Sequence, residues 1–175
     1  MSSPLTFEVR PAGRSDAQAI ADIHSTVQKA AYKSLLPETH FQSPSASRRL
    51  KYWQEAIEFS EPQVHVAVDD GRIVGFIGFD RSRDEGTPPT TGEIWAAYVL
   101  PSHWSTGAGL ALWDAAREGL LEEGCTLVTV WLPLANERAL RFFELAGFKR
   151  EMSTARTVPV GGVKIEEIRL KRSLG

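Results

Sequence analysis

The sequence predicts one α/β domain over residues 1–175, a mixed and mostly antiparallel sheet with helices on both faces and one parallel strand pair. Three observations predict it. Alternating runs and helical stripes succeed one another in the order β-α-α-β-β-β-α-β-α-β-β. Asp70-Gly71 joins two alternating runs, which is a hairpin signal. The stretch from Glu93 to Leu132 reads strand, helix, strand, and such a unit places its strands parallel with a right-handed crossover.

Each element has its own signal. Phe7 to Pro11 reads as a short strand, and Ser15-Asp16 offers a helix N-cap before the stripe Ala17, Ile20, Ile23, His24 and Val27. A second helix spans about Ser45 to Phe59. Val64 to Val68 and Arg72 to Phe79 form the hairpin. Asp84 to Gly92, with two prolines and two glycines, is a loop, and Glu93 to Leu100 is the next strand. A helix from Gly107 to about Glu123 has the stripe Leu110, Trp113, Ala116 and Leu120. Thr126 to Leu132 is apolar throughout and short enough for a buried strand. Asn136 to Ala146 is helical, with Gly147 as its stop. Phe148 to Arg156 and Val163 to Leu170 close the chain as strands.

Composition removes several classes of function. Hydrophobic residues are 42% and charged residues 24%, enough for a core and too apolar for a disordered chain. The net charge of −2, a pI near 6.1 and the lack of a basic run argue against a nucleic-acid partner. No apolar stretch approaches the ~20 residues of a membrane span, and MSSPLTFEVR has no apolar leader core, so a cytoplasmic protein is expected. The single cysteine, Cys125, excludes an internal disulfide and a cysteine-based zinc site; it opens an apolar run and reads as a small buried hydrophobe. The four histidines lack metal-ligand spacing, and no metal is expected.

Tyr98 to Leu110 (YVLPSHWSTGAGL) carries the chemistry. A strand ends near Pro101 and a helix opens near Gly107. The first turn of a helix has four unpaired N–H donors and a partial positive charge, which stabilise an anion such as a phosphate. Glycine lets the backbone approach a ligand closely. Gly107-x-Gly109 is neither a Walker loop nor a full dinucleotide fingerprint, and by itself it equally describes a tight turn with no ligand.

The segment resembles motif A of the GNAT superfamily of acetyl-CoA-dependent N-acetyltransferases, Val-x-Pro followed by Gln/Arg-x-x-Gly-x-Gly/Ala. Val99-Leu100-Pro101 matches the first part, and Trp104-Ser105-Thr106-Gly107-Ala108-Gly109 matches the second. Ser105 stands where glycine is usual, and Thr106 where a basic residue is usual. Asn136 to Phe148 is similar to motif B, Asn-x-x-Ala-x-x-Phe-Tyr-x-x-x-Gly-Phe. Ala31 to Pro37 (AYKSLLP) resembles a branch with Ala-Tyr-x-x-Leu-Leu-Pro between its first helices.

The resemblance implies a GNAT-like fold in which the parallel pair splays apart. It implies that the pyrophosphate of CoA rests on the amides of Trp104, Ser105, Thr106, Gly107, Ala108, Gly109 and Leu110. Pantetheine then pairs with Ala97, Tyr98 and Val99 as an added strand. Asn136 is the family asparagine on the pantetheine side, and it also reads as an ordinary N-cap. The expected reaction is direct attack of a small primary amine on acetyl-CoA. An alkylamine with a pKa near ~10.4 is almost wholly protonated at pH 7, so a base assists. Glu93 matches the base carboxylate of the histone-modifying branch and reads equally as a solvated strand-end charge. Other members place a base glutamate on the following strand, where this chain has Trp131. The family's acid tyrosine falls on Phe143, which has no proton to give and is expected to touch the cofactor with its ring alone.

His24 shares an apolar stripe and reads as a satisfied, half-buried histidine; His103 reads as a surface residue and His65 as a strand residue without chemistry. Trp95, Tyr98 and Trp131 read first as core aromatics and second as walls of the acyl gap. Two functions stay open: an active amine acetyltransferase, favoured by Gly107, Gly109, Asn136 and Glu93, and an acyl-CoA-binding module without turnover, favoured by Phe143, Ser105 and Thr106. The resemblance also leaves a homodimer through the C-terminal strands open.

Overall fold

Residues 7–32, 43–160 and 162–175 are described in the computed structural model, and their periodicities resolve into the predicted succession. The elements are β1 (Glu8–Pro11), α1 (Ala17–Tyr32), α2 (Ser43–Phe59), β2 (Gln63–Asp69), β3 (Arg72–Arg81), β4 (Thr91–Val99), α3 (Ala108–Glu122), β5 (Leu127–Pro133), α4 (Glu137–Leu145), β6 (Lys149–Val160) and β7 (Val163–Ser173). Most of the Ala31–Pro37 resemblance, from residue 33 onward, lies outside the described residues.

The entry to α1 differs from the expected cap. A 3-10 turn at Arg14–Asp16 precedes the helix. The Asp16 carboxylate accepts from the Gly13 N–H at 2.7 Å and from both terminal nitrogens of Arg10 at 2.7 and 3.2 Å. Asp16 therefore caps backwards from the third position of the turn, held by charge-assisted bonds. The last hairpin also runs further than its alternation predicted, to Val160 and Ser173.

The strands form a seven-stranded sheet ordered β1-β2-β3-β4-β5-β7-β6. Every ladder is antiparallel except β4/β5. The parallel ladder runs from Thr91↔Leu127 to Ile94↔Val130 and stops. There the register of β4 against β3 shifts, since Phe79 faces Ile94 and Gly78 faces Ala96. Trp95 is the extra residue of a bulge, which bends and twists the strand locally. Past it, β4 keeps β3 as its partner while β5 continues with β7, and a gap opens between them.

Each face has its own core. Ile20, Ile23, Val27, Trp53, Val66 and Phe76 pack where α1 and α2 lie. Ile94, Leu112, Ala116, Val130, Leu140 and Phe143 pack with α3 and α4 on the other face. Cys125 is 2% exposed in that second core. Gly147, at φ 97°, ends α4 in a left-handed turn. Its N–H bonds to Glu144 O at 3.0 Å, and the Phe148 N–H bonds to Phe143 O at 2.9 Å. This is a Schellman cap, and its apolar contact is the Phe143–Phe148 ring pair 5.1 Å apart. Among the described residues no helix is long and apolar enough to cross a membrane.

Candidate active site

The site begins where β4 leaves β5. Val99 turns its carbonyl away from β3, and the Trp104 indole N–H donates to it at 2.9 Å. A short 3-10 turn at Pro101–His103 redirects the chain. Ser105 (φ 60°) and Gly107 (φ 98°) then take left-handed backbone conformations, and α3 starts at Ala108. The first helical bond is Ala111 N–H to Gly107 O at 3.0 Å. Among the described residues, no acceptor lies within good hydrogen-bond distance and angle of the N–H groups of Ser105, Thr106, Gly107, Ala108, Gly109 and Leu110. A run of bare donors at a helix N-terminus is an anion cradle.

The two glycines of the cradle serve different purposes. A Cβ at Gly107 would meet nothing within 4 Å, so glycine is there for its positive φ and the open approach. A Cβ at Gly109 would come within 3.1 Å of Phe142, so that glycine lets α4 pack closely on α3.

Other contacts stiffen the loop. The Thr106 hydroxyl donates to His103 O at 2.5 Å, so in place of a basic side chain the loop has an internal tie. His103 is only 19% exposed; its ring bonds to Asp69 Oδ2 at 2.9 Å and to Ser102 Oγ at 2.8 Å. It is a tether between the loop and the end of β2, a role that differs from the expected surface residue. Arg138, in the first turn of α4, lays its guanidinium 4.0 Å from the Trp104 ring centroid. This positive charge beside the cradle had no motif to announce it.

Asn136 caps α4, its Oδ1 accepting from the Ala139 N–H at 3.2 Å. That leaves its amide NH2 with no partner among the described residues. Phe143 is 3% exposed and packed against Phe142 and Phe148. Cap packing, and not a polar contact, occupies the acid position.

Glu93 is 1% exposed, at odds with a solvated strand end. Its Oε1 accepts from the Arg83 N–H at 2.9 Å and its Oε2 from Arg83 Nη2 at 2.7 Å. It stands one residue before the ladder ends, opposite Thr129. Its partner loop crosses the sheet, since Asp84 accepts from Trp131 Nε1 at 3.0 Å and from Arg169 Nη1 at 3.0 Å.

Over the gap, Tyr98 stacks on His24 with ring centroids 4.8 Å apart. His24 Nδ1 accepts from Trp53 Nε1 at 3.1 Å, as a satisfied histidine should. Burial, and then the Arg49 charge, push its imidazole down to about 3. Burial first, then Tyr98 on β4 and Glu167 on β7, hold the Tyr32 hydroxyl well above its ordinary pKa. Tyr32 thus keeps its proton. His65, tilted against Phe79, has its pKa lowered by burial. A separate groove of about 560 Å³ lies on the face of α4 bearing Glu137, Arg141 and Glu144, away from Arg138 and Phe142. Among the described residues, no three His, Cys, Asp or Glu side chains are placed to hold a metal.

Comparison with known proteins adds to this geometry. The acetyltransferase (GNAT) family model matches residues 29–148. The chain is 28% identical over 165 residues to YuaI of Bacillus subtilis, an uncharacterized N-acetyltransferase, covering 93% of this chain and 90% of that one. It is 32% identical over 82 residues to a mycothiol acetyltransferase of Kocuria rhizophila, covering 47% of this chain and 27% of that longer protein. In structure it is similar to yncA of Salmonella typhimurium, solved with its cofactor acetyl-CoA, at TM-score 0.72 and 19% identity over 98% of this chain and 95% of that one. It is also similar to the PaiA N-acetyltransferase of Thermoplasma acidophilum, in complex with coenzyme A, at TM-score 0.75 and 16% identity over 97% and 99% of the two chains. At these identities the two structures speak for the fold.

Proposed function

Because this chain belongs to the GNAT acetyltransferase family, we propose that it moves an acetyl group from acetyl-CoA to the primary amine of a small molecule by direct attack in a ternary complex. The observation that carries this reading is the run of unpartnered amides from Ser105 to Leu110 beside the open end of β4. The diphosphate sits on those amides, with Trp104 and Arg138 as its flank. Pantetheine follows the free edge of β4 at Ala97, Tyr98 and Val99, and the free amide of Asn136 reaches it from α4. Solved structures of similar fold hold acetyl-CoA or coenzyme A, which supports the choice of ligand.

The thioester then lies in the gap, where the amine meets it from the opposite face. Glu93 draws the amine's proton through water, its position held by Arg83. The CoA thiol resembles cysteine, with a pKa near ~8.5, so it leaves acceptably as a thiolate without a tyrosine at position 143.

A second reading, a binding module without turnover, is favoured by the buried ring of Phe143. Thiol release from acetyl-CoA with a panel of amines separates the two. Release is expected, along with a rise in Tm at millimolar CoA. Thermal protection without release across the panel leaves the module; no protection by CoA removes both.

A further inference from the structure

The residues that follow the last β4/β5 ladder pair are both tryptophans, Trp95 and Trp131. Val128, Val130 and Leu132 face α3 and α4, so Trp131 points to the opposite face, as Arg169 does between Ile168 and Leu170 on β7. That is the side of the gap away from the amide cradle. Each tryptophan carries a guanidinium on its ring. Arg83 Cζ lies 4.1 Å from the Trp95 centroid, and Arg156 Cζ lies 3.6 Å from the Trp131 centroid. Arg83 arrives from the β3–β4 loop and Arg156 from β6, so the two approach from opposite banks.

Both arginines are held yet incompletely used. Arg83 gives Nη2 to Glu93, and Arg156 gives Nε to Glu167, each at 2.7 Å. Among the described residues, Nη1 and Nη2 of Arg156 have no acceptor, and the side chain is 49% exposed. Trp131 beneath it is locked by Asp84, and Asp84 by Arg169. A guanidinium is planar and presents its remaining N–H donors in one plane, the geometry that matches a carboxylate bidentately. Its rotamer freedom is already lost, so ligand binding costs less entropy.

We infer that the acceptor is an amine that also carries a carboxylate, and that the free Nη1/Nη2 edge of Arg156, held over the Trp131 ring, anchors that carboxylate at the mouth of the gap. This rests on the acetyl-transfer reading above and names its substrate class.

The test pairs each of a set of L-amino acids with its own carboxamide and follows thiol release from acetyl-CoA by the intact chain. The carboxamide's amine is the less basic of the two and so the more often neutral; amine ionisation would favour it. A kcat/KM at least ~10-fold higher for the acids is expected, falling to within about 2-fold in R156Q. A thermal shift with acetyl-CoA checks that R156Q is folded; should it not fold, the acid-to-amide ratio of the unaltered protein decides alone. Equal use of amides and acids, or an undiminished ratio in folded R156Q, overturns the inference. If no amine releases thiol, calorimetric titration of the same amino acids into the CoA-loaded protein decides. Binding that R156Q weakens at least ~10-fold keeps the anchor and removes acetyl transfer; no binding removes the anchor.

Discussion

His24 illustrates how a single residue's surroundings set its chemistry. Stacked on Tyr98, accepting from Trp53 and facing the Arg49 charge, it stays neutral in the folded protein down to a pH of about 3. In the unfolded chain it takes a proton below about pH 6.5. The unfolded state therefore binds more protons between those values. The stability tied to His24 is complete above about pH 6.5 and declines as pH falls, by up to about 1.4 kcal/mol per unit. Urea unfolding at pH 7 and pH 4.5 is expected to show the native protein losing about 1–3 kcal/mol more than H24Q. His65 titrates in the same direction but is common to both proteins, so equal losses would contradict the shift assigned to His24. Phe143 and Glu93 differ in this respect: Phe143 only completes a helix cap, whereas Glu93 keeps an ionisable carboxylate while it also pins Arg83 to the sheet.

At the scale of the element, the strand-to-helix loop is a cradle because two of its residues turn left-handed. Alanine at Gly107 would strain a backbone at φ 98°, by about 1–2 kcal/mol, and set a methyl group over open donors. We expect G107A to weaken acetyl-CoA binding by roughly 10-fold or more, measured by calorimetry, with a modest fall in Tm. Alanine at Gly109 instead meets Phe142 and disturbs α3 against α4. Unchanged affinity in a folded G107A protein would move the diphosphate elsewhere.

At the scale of the whole molecule, the sheet is two half-sheets sharing a four-pair parallel ladder, Thr91↔Leu127 to Ile94↔Val130. The bulge at Trp95 lets them part. If pantetheine completes the sheet there, acetyl-CoA should slow amide hydrogen exchange between Ala97 and Val99 by about 10-fold or more, and leave Leu127 to Val130, already in ladders, unaltered. Exchange at Ala97 to Val99 that ignores the cofactor would count against strand-like pairing.

Element order, the parallel pair, the helix stop at Gly147 and the place of the amide cradle were legible in the sequence alone. All are local: side-chain period, turn residues and helix ends are written in contiguous residues, and a run of ten or so is enough to read them. Only the tertiary structure decided which side chains meet around the cradle and the gap. Arg83 and Glu93 are 10 positions apart, Asp69 and His103 34, Asp84 and Trp131 47, and Asp84 and Arg169 85. Arg138 on Trp104 and Arg156 on Trp131 belong with them. Such pairs depend on strand order, on a bulge that parts two strands and on a loop that crosses the sheet. None of these leaves a period in the chain, because each contact is made by elements whose separation along the sequence bears no relation to their separation in space.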